Sequence, residues 1–201
     1  MRAAPALLTL GLLAACSPSG QAVQKQETAR AAELDKLKGW DRAFEPDAAI
    51  AAANQFGYRN DAYAAAKAGP GFVSTGTSPM IAGSTAASPN QTNFVASGAA
   101  ADKIDRMAFT LSITDPQTAD HAKKRFTDIV NGFLFQFKLD AKKDVSAFLA
   151  DEKPLDATYQ GATFSAAATP TPGGAKDTRR LTVTFTRTGA SAPVNSQTQG
   201  K

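Results

Sequence analysis

The sequence predicts an α+β fold: an antiparallel sheet of about four strands packed on one long amphipathic helix, with further helices on its N-terminal side. Three patterns carry that reading. Met107, Phe109, Leu111 and Ile113 alternate with Ala108, Thr110, Ser112 and Thr114, the period-two signature of a half-buried strand. Leu181, Val183 and Phe185 alternate in the same way with Thr182, Thr184 and Thr186. Between them, Ala119, Ala122, Phe126, Ile129, Val130, Phe133, Leu134 and Phe137 recur at three- and four-residue steps, which places them on one face of a helix.

The chain opens with a different kind of segment. Arg2 and the amino terminus form a short positive end, residues 6–13 form an apolar core, and small residues Ala14 and Ala15 follow. The apolar core is about half of the roughly 20 residues that a membrane-spanning helix needs, so it suits export rather than a permanent span. Residues 1–15 therefore read as a signal peptide.

Its last residues, Leu13-Ala14-Ala15, precede Cys16, the one cysteine in the chain. This ending resembles the lipobox of bacterial lipoproteins. The resemblance implies that Leu13, Ala14 and Ala15 are recognition positions and that Cys16 is the lipid attachment site. The thiol would take a diacylglyceryl group, the chain would be cut before it, and the new amine would be acylated, as with palmitate. Several chains together hold a protein firmly, because each buried methylene contributes about 0.8 kcal/mol. Ser17, rather than an aspartate, follows the cysteine. In a cell with two membranes that implies an outer-membrane anchor with the protein facing the periplasm. The mature part matches no family recognisable from its residues.

Cleavage leaves about 185 of the 201 residues, which suits one domain with tails. Apolar residues make up 43% of the chain, but much of this is alanine, so the twelve phenylalanines are expected to supply most of the core. The net charge of +4 falls to +3 without Arg2, too little for a nucleic-acid face. With Cys16 lipidated, no disulfide can form, and the domain must fold on packing alone.

Residues 16–28 are polar and read as a lipidated tether, about 40 Å long when extended. Residues 29–68 read as a helical N-terminal part. Within it, residues 29–38 favour helix and stop at Gly39, with Trp40 and Phe44 beyond. Glu45-Pro46-Asp47 has the form of a helix start, with proline in the first turn beside acids. Residues 61–68 read as a short alanine-rich helix ended by Gly69-Pro70-Gly71. Phe56, Tyr58 and Tyr63 are expected to pack these helices onto the domain.

Residues 69–91 are rich in Gly, Ser, Thr and Pro and read as a long surface loop. The α+β domain then runs over residues 92–188. Strands are expected at 92–97 and 104–114. Asp115-Pro116 caps the long helix, and a short helix follows at 144–150. Residues 158–168 and 180–187 are expected to form two more strands, joined as a hairpin through the turn that begins Thr169-Pro170-Thr171-Pro172-Gly173-Gly174. Gly132 costs about 1 kcal/mol inside a helix, which suggests that a strand crosses close to it. Residues 189–201 read as a disordered tail.

Catalytic constellations are missing from this pattern. His121 is the sole histidine and lacks companions for a metal site or a triad. Residues 71–77 have the glycine spacing of a phosphate loop but not its lysine. Asp140 with Asp144, and Asp151 with Glu152, read as solvated carboxylates, with nothing in the sequence to split their pKa values. Lys123-Lys124-Arg125 and Arg179-Arg180 read as solvated edges, with contact to anionic lipid or cell-wall polymer as the weaker reading. No cofactor or metal is implied.

These features together lead to the expectation of a non-enzymatic, membrane-anchored lipoprotein. Its domain would bind a protein partner in envelope or secretion-machine assembly. The alternative is a lipoprotein that binds a small apolar ligand or the cell wall, with the 69–91 loop and the aromatic residues covering a pocket beside the helix.

Overall fold

The computed structural model describes residues 20–76 and 89–190. The chain divides into two compact units, Met1–Lys36 and Leu37–Lys201. In the first, α1 (Gly20–Leu34) has no apolar stripe, and most of its described side chains are exposed. The tether expected over 16–28 is therefore helical from Gly20 onward, since alanine and glutamine favour helix; residues 16–19 lie outside the described residues.

The second unit begins with two helices, α2 (Gly39–Ala43) and α3 (Pro46–Gln55). The start of α3 forms as its sequence dictates. The Glu45 carboxylate accepts the backbone N–H of Ala48 at 2.7 Å, and Pro46 occupies the first turn, where its missing N–H costs nothing.

Among the described residues, seven strands form one antiparallel sheet: β1 (Ala64–Ala65), β2 (Phe72–Thr75), β3 (Gln91–Gly98), β4 (Arg106–Ile113), β5 (Leu155–Tyr159), β6 (Ala162–Pro170) and β7 (Arg179–Arg187). Their spatial order is β1-β2-β3-β4-β7-β6-β5, and every neighbouring pair is antiparallel. The first four strands form a meander. The chain then crosses through α4 (Ala119–Gln136) and α5 (Lys142–Asp151) to the far edge, and β5, β6 and β7 return to pair with β4.

The sheet thus has more strands than the expected four, for two physical reasons. The segment 158–168 is not one strand. Gln160-Gly161 turns it back, with Gly161 at φ 98°, and Tyr159 pairs with Ala162. Only glycine adopts that backbone without penalty. Likewise, residues 61–68 do not form a helix. Gly69 and Gly71 lie at φ 83° and 97°, and the chain folds back so that Ala64 and Ala65 pair with Val73 and Phe72. Pairing to a neighbour overrides the helical preference of alanine. The expected 69–91 loop accordingly contains β2; residues 77–88 lie outside the described residues, as do residues 191–201 of the expected tail.

Alternation along the strands places Phe94, Met107, Phe109, Leu111, Val183 and Phe185 in the buried core. Phe133 of α4 meets Phe94 and Phe109, with ring centroids 5.9 and 5.1 Å apart. Trp40 of α2 meets Phe185 at 5.1 Å. Aromatic pairs at such separations add about 1 kcal/mol each beyond area burial. Gly132 is explained by a ring rather than a strand. A Cβ there would lie 2.7 Å from Cε1 and Cζ of Phe56.

Asn90 locks the junction between strands and helix. Its side chain is buried, accepts the N–H groups of Thr114 and Asp115 at 2.9 Å each, and donates to Asp115 O and Thr118 Oγ1 at 3.0 Å each. All the hydrogen-bonding capacity of the amide is used, which offsets the cost of burying it.

Candidate functional site

The strand residues that alternate with the core are small and polar. Thr110 on β4 stands opposite Thr182 on β7, with hydroxyls 3.3 Å apart. Thr184 faces Ala108 on one side and Ser165 on the other, while Thr186 faces Arg106 and Thr163. Arg106 donates from Nη2 to Thr184 Oγ1 at 3.3 Å, and partial burial lowers its pKa. Thr163, Ser165 and Ala167 on β6 are exposed, as is Asp156 on β5. This face offers hydroxyls, a guanidinium and a carboxylate on a rigid backbone. Such groups are able to accept and donate hydrogen bonds.

The titratable residues singled out in the sequence are distributed differently from their order along the chain. Glu152 follows α5 at φ 55° and accepts two hydrogen bonds from Arg179, at 2.5 Å from Nε and 2.6 Å from Nη2. Lys123 of α4 lies 3.2 Å from the same carboxylate and 3.4 Å from Asp120. The bond from Arg179 is the main cause that holds the Glu152 carboxyl below the usual range; burial opposes it, and Lys123 adds to it. Each basic run is therefore split. Lys123 and Arg179 are tied to Glu152, while Lys124, Arg125 and Arg180 are exposed.

Of the carboxylates expected to be solvated, Glu152 and Asp144 are instead tied to neighbouring side chains. Asp144 accepts a hydrogen bond from the Tyr159 hydroxyl, whose pKa is raised by burial first and by Asp144 second. Asp140 and Asp151 are exposed. His121 is exposed on α4. Among the described residues, no three of His, Cys, Asp and Glu are grouped so as to hold a metal ion. The phosphate-loop spacing over 71–77 falls largely on strand β2.

The three aromatics of the N-terminal part have packing roles. Tyr58 is fully buried against Phe94 and Phe109, Phe56 fills the notch at Gly132, and Tyr63 lies against Phe72 and donates to Lys103 O at 3.0 Å.

A second surface was not visible as a motif. Phe135, at the end of α4, is 70% exposed. It lines a surface hollow of roughly 690 Å³ with Gln136, Lys138, Leu139, Asp140 and Lys142. The Lys142 ammonium sits 4.6 Å from the centre of its ring. The available signal was phase: Phe135 falls between the apolar positions Leu134 and Phe137. A second hollow, roughly 340 Å³, lies at the β6–β7 turn beside Pro170 and Arg179.

Leu13, Ala14, Ala15 and Cys16 lie outside the described residues. Among the described residues, no helix is long and apolar enough to cross a membrane. No family model matches the sequence, no curated protein matches it, and no solved structure matches it.

Proposed function

We propose that this chain is a bacterial lipoprotein, held through Cys16 on the periplasmic side of the outer membrane. Its domain is a non-enzymatic interaction module for a protein partner in envelope or secretion-machine assembly. The helices, with α4 as the principal one, back one face of the sheet, and the partner docks on the other. One observation carries this reading: the row of small hydroxyl-bearing residues, Thr110, Thr182, Ser165 and Thr163, that alternates with the core strand residues. A rigid face of hydroxyls suits hydrogen bonding to a protein surface, and sheet edges also accept an added strand. The ligand-binding reading has less support, since Tyr58 and Phe56 are used in packing rather than as pocket walls.

The test is affinity purification of the full chain from detergent-solubilised membranes, beside Ser165→Arg and Ala167→Arg. Both positions are exposed on β6. A stoichiometric protein that is lost with both variants and retained with His121→Ala is the expected result. A partner retained by both arginine variants, or a lone protein carrying a small molecule, would overturn the proposal. Intact-mass measurement tests the anchor independently: an unmodified thiol at Cys16 removes it.

A further inference from the structure

The geometry points to a docking surface for an anionic phospholipid bilayer at the α4–α5 corner, made by Phe135 with Lys138, Lys142 and Lys143. Phe135 and Leu37 are the two exposed large hydrophobic side chains among the described residues, at 70% and 37%, so Phe135 stands well apart. Core packing does not explain it. The core side of α4 is filled by Phe126, Ile129, Val130, Phe133 and Leu134, all buried. An aromatic ring left in water costs free energy that contact with an apolar phase returns.

The charges around the ring say which phase. Lys142 lies over its face at 4.6 Å, Lys138 lines the same hollow, and Lys143 is exposed beside Lys142. Asp140 is the carboxylate that lines the hollow with them. Folding does not account for these cations either. Lys142 and Lys143 occupy the first turn of α5, where the helix dipole disfavours positive charge, and Lys138 holds a left-handed backbone at φ 56°. A ring that enters the acyl boundary while flexible ammonium groups reach the phosphates is the arrangement interfacial segments use. A protein partner would need carboxylates matched to three lysines. A bilayer meets the requirement with any phosphate-rich surface.

The basic runs at 123–125 and 179–180 suit this role less well, because Glu152 holds Lys123 and Arg179. The inference rests on the lipoprotein reading only for proximity: an anchored chain keeps this corner close to lipid. Docking fixes the orientation of the domain, which fatty chains alone do not.

The experiment uses the full chain as isolated from membranes, with Phe135→Trp as a reporter and the parent, whose Trp40 is buried, as background. Each is mixed with vesicles of phosphatidylcholine alone or of phosphatidylcholine with phosphatidylglycerol, carrying brominated acyl chains. The reporter indole is expected to be quenched in the anionic vesicles and much less in the neutral ones. The docking equilibrium should fall about fivefold for each of Lys138→Gln, Lys142→Gln and Lys143→Gln, and quenching should weaken with salt. Absence of quenching in anionic vesicles overturns the proposal, as does equal quenching in both that ignores the lysine variants. A blue shift without lipid that grows with protein concentration also overturns it, by assigning the patch to a second copy. Flotation on neutral vesicles reports the anchor separately. A chain that floats there and whose reporter is quenched in neither kind of vesicle keeps its anchor and loses this surface; one that fails to float there yet is quenched in anionic vesicles does the reverse.

Discussion

Glu152 occupies a position where helices usually place glycine. Its φ of 55° is left-handed, which costs a residue with a side chain about 1–2 kcal/mol. The carboxylate offsets that cost by joining Arg179 of β7 and Lys123 of α4. Glu152→Gln removes the charge-assisted fork and leaves two cations facing each other with side chains only 25% and 19% exposed. The expected loss is about 1.5 kcal/mol, above the usual surface bridge because the pair is bidentate and partly buried. In urea, with a slope of about 2 kcal/mol/M, the midpoint should fall by about 0.7 M without a change in slope. Glu152→Gly loses the same contacts but recovers about 1 kcal/mol of backbone strain, so its net loss should be about 0.5 kcal/mol.

The pH dependence checks the same reasoning. The folded carboxyl titrates below the ordinary range, chiefly through the Arg179 hydrogen bond, against the opposing effect of burial. A lowered folded pKa stabilises the protein at pH values above the unfolded value of about 4.3, and the benefit is lost as pH falls through the folded one. The gap between parent and Glu152→Gln should stay constant from neutral pH down to about 5 and then shrink. Two results would refute the argument: a gap as wide in acid as at neutral pH, or a glycine variant no more stable than the glutamine one.

Three further outcomes follow from the packing. Gly132→Ala should destabilise by about 1 kcal/mol net, overpacking against Phe56 outweighing the helix preference of alanine; in Phe56→Ala the same change should become stabilising, and additive effects in this cycle would disprove the contact. Tyr58 and Thr92 are both fully buried, and the Thr92 hydroxyl acts on the Tyr58 phenol against the effect of burial, so Tyr58→Phe with Thr92→Val, which removes both hydroxyls, should be neutral or stabilising in urea unfolding; a loss above about 2 kcal/mol would show the pair to be a net contributor. All three phenols are raised, Tyr63 to about 12 by burial with Asp105 and Asp102, and Tyr58 and Tyr159 chiefly by burial. Absorbance at 295 nm should therefore show no phenolate step near pH 10 while the chain is folded. The neutral phenols favour the fold, so stability should fall as pH rises above the unfolded value of about 10; a step at 10 in the native state would contradict the burial of these rings.

The elements that were legible in the sequence are those whose signal is local and long. The alternation over 104–114 and 180–187 and the period over 119–137 correspond to β4, β7 and α4. Glu45-Pro46 fixed a helix entry, because capping depends on residues three positions apart or fewer; Asp115, expected to cap the long helix, instead caps a short 3-10 turn, Pro116–Thr118, that leads into α4 through Thr118, which makes no side-chain cap bond. What failed were short elements set by glycines. Gly161 turns a hairpin inside what alternation alone reads as one strand, and Gly69 and Gly71 do the same for an alanine run. In both places the decisive fact is a partner strand, which lies outside any local window.

Charge shows the same division more sharply, and it bears on function. Adjacent residues in a sequence look like one cluster, yet Arg179 and Arg180 sit on opposite faces of a strand, and Lys123 is turned to a carboxylate that its neighbours Lys124 and Arg125 do not share. A run of basic residues therefore overstates the charge free to meet a partner. The corner at Phe135 reverses this. Its lysines at 138 and 142 belong to a turn and the next helix and form no run, but the turn gathers them around one ring. The feature that marks such a place in a sequence is a large apolar residue out of phase with its helix, followed within two turns by cations at the start of the next. Helix energetics favours neither, which is why the pair stands out from the rest of the chain.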